Sequence, residues 1–465
     1  MLVKRRSFLL GSAALLFVPT APACAQGATR SFTPEEFGAR GDGVTNDTAA
    51  FARLSAAVNA AGGGVVSLRK TTYIVGQQAP SLRANSRYSF APAPILEFLN
   101  CSRAIDLRGN GARLRCAPGL RYGTFDARSG RATRNKLPFT GNQVATPYSY
   151  MIKVQDCSGG VEISDLELDG NLPALSIGGE YGDTGYQIEA FGVALYNNRG
   201  REVIRNVHTH HHALDGLVID GVDSATGVER RIINVRSEYN GRQGCSIVGG
   251  HGYAFEGCRF NHTGKSKIAS SPGAGVDVEA ENGKRVRKLS FVNCEFVNNN
   301  GPGMVADTGD SADARFESCR FVGTSDWAIW PRKPRFRFFK SSFVGAICNT
   351  FGSPDPADAT QFHDCEFRDD PRLSPTGAVY GRGTIADLSN HANVLFNRCR
   401  FLLTHSAVLP WSLAVIYQDC TMEQKSKEEA YPRGLYRGRN TIKGNVDLYG
   451  SKIVGELEVN GKRRS

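Results

Sequence analysis

Three carboxylates, Asp220, Glu279 and Asp307, each stand four residues after a glycine: Gly216, Gly275 and Gly303. The residues between alternate as in a strand, so offsets one and three share one face and offsets two and four the other. Leu217 and Ile219, Cys245 and Ile247, Val276 and Val278, and Met304 and Ala306 then point inward. Outward at offset four stand Tyr196, Asp220, Val248, Glu279, Asp307 and Arg332; outward at offset two stand Asp277 and Trp330. If successive units stack as strands about 4.8 Å apart, Glu279 and Asp307 lie about 5 Å from each other, and Asp220 and Glu279 about 10 Å. Retaining glycosidases hold two carboxyls about 5–5.5 Å apart and inverting ones about 6.5–9.5 Å, so either geometry is within reach. Asp220, Glu279 and Asp307 are therefore catalytic candidates. Tyr196 and Trp330 offer flat faces to sugar rings, Arg332 can pair with a uronate, and Asp277 stands among them; these four are the substrate-binding candidates.

His208, His210, His211 and His212 form a run just before Asp215 and Gly216, in the expected turn between two strands. Neutral imidazole is a base near pH 7 and a common metal ligand. Adjacent histidines in an irregular turn do not dictate ligand geometry, so no metal site is assigned. His211, and His251 in Gly249-Gly250-His251-Gly252, are taken as catalytic candidates flanking the stripe. The plainer reading is an outward stripe that solvates a sheet and a His run that is a polar turn.

The elements that must position these residues are legible as a repeat. Leu166, Val207, Val235, Cys258, Cys294, Cys319, Ser341, Cys365, Cys399 and Cys420 occupy one anchor position, separated by 21–41 residues. From Cys258 on, the anchor reads Cys-x-Phe, with Ser341-x-Phe343 and Cys420-x-Met422 as variants. Repeats of this period mark a solenoid. Each unit is too short for a crossover helix and is rich in Gly, Asn and Asp turns. The pattern predicts an all-β, single-stranded right-handed parallel β-helix. It also predicts that the anchor cysteines stack unpaired in the interior, leaving Cys101 and Cys116 as the best candidates for a bridge. Ahead of the coils, Asp47 to Ala61 reads as a helix with Phe51, Leu54 and Val58 on one face, ended by Gly62-Gly63-Gly64; it caps the open first coil.

The opening stretch Phe37-Gly-Ala-Arg-Gly-Asp-Gly-Val-Thr-Asn-Asp-Thr-Ala-Ala-Phe51 resembles that of pectate-lyase-like proteins of the rhamnogalacturonase/epimerase type. Asp165-Leu-Glu-Leu-Asp-Gly-Asn171 is similar to a first full coil of that group. The resemblance implies a right-handed β-helix that acts on or binds polysaccharide. It transfers no catalytic residue: the Asp-Pro-His-Glu signature of the epimerases is missing, and Arg242-Gln243 stands where polygalacturonases carry paired aspartates.

Lys4-Arg5-Arg6-Ser7-Phe8-Leu9-Leu10, an apolar run and Ala23-Cys24-Ala25 read as a twin-arginine signal, which predicts export to the periplasm or beyond. The divisions expected are 1–25 signal, 26–75 opening segment and capping helix, 76–425 β-helix, and 426–465 terminal strands and tail. The insertion Pro173 to Gln187 is placed to wall a groove. Net charge is +11, but the bases are dispersed among acids, so no nucleic-acid partner is assigned and no membrane one after signal removal. An acidic or neutral polysaccharide is the expected partner. No cofactor follows from the residues; Ca2+ would accompany lyase chemistry only. Two classes of function fit: a hydrolase or uronate lyase, with C5-epimerisation as a variant, or a non-catalytic β-helix that binds a polysaccharide during export.

Overall fold

The structure, a computed structural model, describes residues 30–464 except 84, 137–142, 181–183, 224–226, 382 and 390; the twin-arginine segment lies outside them. Each coil winds through three strands that pair in parallel with their counterparts one coil on. In one coil, Glu202–His210 bends at Asn206 into two strand pieces, and Asp215–Asp220 forms the third. The bend residue is left-handed in coil after coil, with φ of 53° at Asn206, 51° at Asn234 and 54° at Asn293. Asn tolerates this conformation because its short amide bonds locally. Here the amides also reach along the stack, Asn206 Nδ2 to Asp165 Oδ1 at 2.9 Å and Asn234 Nδ2 to Asn206 Oδ1 at 3.3 Å.

The anchor residues after the bend turn inward, as alternation requires. Cys258, Cys294, Cys319, Cys365, Cys399 and Cys420 are all buried and free. The Phe of Cys-x-Phe builds a ladder from Phe260 through Phe296, Phe321, Phe343 and Phe367 to Phe401, with centroids 4.5–5.7 Å apart. A second ladder ahead of the bend runs Phe255, Phe291, Phe316, Phe338, Phe362, Phe396, Tyr417, Tyr436, at 4.4–5.6 Å. The rings stack because the strand spacing delivers like residues at van der Waals distance.

The expected Cys101–Cys116 bridge is absent. Both thiols are free and buried, and stacking brings Cys157 rather than Cys116 to Cys101, whose N–H donates to Cys157 Sγ at 3.3 Å. Cys116 ends the long strand Ile105–Cys116 and pairs there with Val75.

The helix runs Thr48–Ala61 and buries Phe51, Leu54 and Val58 against the first coil. Its polar residues take the place of a missing neighbour strand for Leu96–Leu99. Ser55 Oγ lies 3.1 Å from Glu97 N and 3.3 Å from Ile95 O, while Asn59 binds Leu99 N at 2.9 Å and Glu97 O at 2.8 Å. Asp47 does not cap the helix through its side chain; it accepts from Arg40 N and Gly41 N and so ties the Gly-rich turn. A separate five-stranded sheet, drawn from residues 78–145 and Ser176–Gly178, includes part of the Pro173 to Gln187 insertion. At the other end, Lys462–Arg464 pairs antiparallel with Leu457–Val459, where a frayed tail was expected.

Candidate functional site

The third strand of each coil forms the face that carries the carboxylates. Tyr150–Gln155, Phe191–Tyr196, Asp215–Asp220, Gln243–His251, Val276–Val278, Met304–Ala306 and Ile329–Pro331 pair in succession. The register aligns Ala194, Val218, Ser246, Asp277, Val305 and Trp330 in one row. Over the later part of this row lies a groove of about 440 Å³. It is lined by Asp277, Glu279, Val305, Asp307, Thr308, Asp326 and Trp330, and by Thr184, Gln187, Ser271 and Pro272 from neighbouring loops. Gln187, from the inserted segment, accepts from Arg242 Nη1 at 2.9 Å, so the insertion is tied to the start of Gln243–His251.

Asp277 is the unusual group. It is 4% exposed, and Gln243 Nε2 donates to its Oδ2 at 2.5 Å. Its carboxyl is pushed up to about 8, first by burial, then by the charges of Glu279, Asp307 and Asp215, with Arg242 pulling the other way. Burial and the neighbouring carboxylates thus favour the protonated form of Asp277. Glu279 and Asp307 are half-exposed, and Thr308 Oγ1 donates to Glu279 Oε1 at 2.5 Å. The buried Asp215 pairs with Arg242; burial pushes its carboxyl up while Arg242 draws it back. The indole N–H of Trp330 has no hydrogen-bond partner among the described residues.

Asp277, Glu279, Asp307 and Trp330 thus come together, and the other sequence candidates fall elsewhere. Tyr196 pairs with Asp220 as expected, but its ring packs edge-on against Tyr150, 5.8 Å away, and does not line the groove. Asp220 is held by Lys284 Nζ at 2.5 Å. The register also slips beyond it: Ile219 faces Ile247 but Asp220 faces Gly249, so Val248 drops out of the stripe. Arg332 is exposed and outside the groove lining. His251 ends a long strand that has crossed onto another face, where it pairs with Arg287. His211 lies at the corner before the groove face and stacks on Tyr239, with centroids 5.2 Å apart.

The His run divides where the strand ends: Glu202–His210 stops at His210, and the left-handed His211, with φ of 54°, turns the chain. His212 enters the interior, bonded to Tyr148 Oη at 2.8 Å and Thr209 Oγ1 at 2.9 Å, and burial pushes its imidazole down to about 3. His208 and His210 face outward on the preceding strand, their rings stacked at 4.2 Å. Around them stand Glu167, Asp169 and Glu238, none of which was singled out from the sequence. Burial alone would raise Glu238, but His208 and Arg236 hold it down at about 2. Among the described residues, the groups of three whose donor atoms converge within 4.8 Å are Glu167, His208 and His210, and Asp169, His210 and His211. A signal for Asp215 and Arg242-Gln243 was present, as polar residues just before the strand glycines Gly216 and Gly244.

Residues 152–333 match the family model described as the right-handed beta helix region. With the stacked parallel strands, this makes the chain a right-handed parallel β-helix. No curated protein matches it significantly. Among solved structures it is similar to the A-module of a mannuronan C-5 epimerase from Azotobacter vinelandii, at 15% identity over 94% of this chain and 99% of that one, TM-score 0.44. It is similar too to a tailspike, a capsular polysaccharide depolymerase, from the Acinetobacter baumannii bacteriophage Fri1 (13%, 95% and 66%, 0.40). A third is a hyperthermoactive exopolygalacturonase from Thermotoga maritima (12%, 94% and 93%, 0.30). At this identity and superposition none of the three assigns an activity.

Proposed function

We propose that the protein is an exported, polysaccharide-active enzyme that hydrolyses a glycosidic bond in the groove over Asp277. The observation that supports this most is a buried carboxyl, its titration pushed up by burial, in one groove with two half-exposed carboxylates and a tryptophan. A glycosidase needs one carboxyl kept neutral to protonate the leaving oxygen and a second, ionised one to act on the sugar or on water. Asp277 takes the first role, having been expected only to bind substrate; Glu279 and Asp307 compete for the second. Trp330 offers a ring face, and Gln187 and Ser271 supply polar groups for sugar hydroxyls.

Incubation with a panel of acidic and neutral polysaccharides, followed by assay of reducing ends and of ultraviolet absorbance, tests the reading. New reducing ends without absorbance are expected, lost in Asp277→Asn. Absorbing, unsaturated uronates would replace hydrolysis by elimination, and an unchanged polymer that still binds would leave a binding protein only.

A further inference from the structure

The structure assigns a second site, on a different face from the groove: a divalent transition-metal site built by Glu167, His208 and His210. His208 and His210 are two apart on Glu202–His210 and so share its outer face; Glu167 sits directly opposite His208 on Val161–Asp169. His210 Nε2 lies 3.1 Å from Glu167 Oε1, and the stacked His208 ring brings one of its nitrogens within 4.8 Å of donor atoms of both residues. His208 Nε2 is buried and makes no hydrogen bond among the described residues; Glu238 Oε2 is its ion-pair neighbour at 3.4 Å.

The surroundings fit a ligand role. A metal-bound imidazole usually gives its other N–H to a neighbour that fixes its tautomer. His210 Nδ1 is 2.7 Å from His211 Nδ1 and 3.8 Å from Asp169 Oδ1, so it can donate there when a metal replaces the hydrogen bond between Nε2 and Glu167. Two imidazoles and one carboxylate suit Zn2+, Co2+, Ni2+ or Cu2+, whereas Ca2+ and Mg2+ require oxygen-rich cages. The side chains of His208 and Glu167 are 30% and 37% exposed, which leaves the remaining coordination positions to solvent, as in an open zinc site. Arg113 Nε lies 3.1 Å from the same Glu167 oxygen and is the cation that the metal must displace or share with.

The test uses the full chain, stripped with a chelator and titrated with Zn2+ by calorimetry and with Co2+ by visible absorption. One equivalent should bind, with cobalt d–d bands of low symmetry. His208→Gln and Glu167→Gln should each weaken Zn2+ about tenfold or more, judged by ligand and near-ligand losses in other zinc sites. His251→Gln should leave binding unchanged, and circular dichroism should be the same in all variants. If His208→Gln fails to fold, Glu167→Gln alone carries the comparison. No saturable equivalent, binding in both ligand variants as tight as in the parent, or displacement of Co2+ by equimolar Ca2+ would overturn the assignment.

Discussion

At the scale of residues, two buried titratable groups pull stability in opposite directions with pH. Asp277 has its carboxyl raised from 3.8 to about 8, so folding takes up a proton between those values. Its contribution is complete below the ordinary carboxyl range and is lost as pH rises toward 8. Asp277→Asn should therefore stabilise the protein at pH 7, on the order of 1–4 kcal/mol, and flatten that part of the profile. It should also cut turnover by about 10²–10⁴. Denaturant unfolding and reducing-end assays on one preparation read both; lost stability together with lost activity would demote Asp277 to a structural residue. In the parent, activity should fall as pH rises through about 8, where the acid loses its proton. His212 is the reverse case. Its imidazole is lowered from 6.5 to about 3, so its contribution is complete above 6.5 and is lost as pH falls through 3. His212→Asn should remove the acid-side slope of an unfolding series between pH 6.5 and 3, a loss absent if His212 is solvated.

At the scale of elements, the groove depends on strand ends and insertions. Glu279 and Asp307 lie just beyond the short strands Val276–Val278 and Met304–Ala306, and so are outward and half-exposed rather than packed. Glu279→Gln and Asp307→Asn should leave unfolding midpoints nearly unchanged, and whichever is the working partner of Asp277 should lose turnover by orders of magnitude. Full activity in both would exclude the pair. The helix Thr48–Ala61 does different work, pairing the open edge of Leu96–Leu99 through Ser55 and Asn59. Asn59→Ala strands an N–H and a carbonyl there and should cost about 1–3 kcal/mol. Removing residues 33–62 uncovers the whole edge and should give aggregates on gel filtration instead of a shorter, well-behaved solenoid.

At the scale of the molecule, stability is distributed along ladders, each rung touching the next coil. Cys294, 1% exposed between Cys258 and Cys319, has no room for charge. Cys294→Asp should destabilise by about 3–5 kcal/mol, and thiol titration of unfolded, unreduced protein should find the anchor cysteines free. Disulfides at those positions would break the register assigned here.

How much of this was legible follows from how far each feature reaches along the chain. The coil repeat, the inward row, the Cys-x-Phe ladder and the capping helix depend on alternation and turn chemistry within one unit, so the sequence alone determined them. The same logic placed Asp277, Glu279, Asp307 and Trp330 outward on one face. Alternation could not show that Asp220 would be claimed by Lys284, nor that one extra residue would turn His251 onto another face. The insertion ending at Gln187 was expected to wall a groove and does line it, but alternation could not show that the loop at Ser271 would line the same groove as Asp277. Only tertiary structure decided these, because each depends on which coil lies beside which and on what a loop covers. Burial by distant segments made Asp277 an acid and His212 a core residue. Parallel stacking of strands some forty residues apart set Glu167 opposite His208.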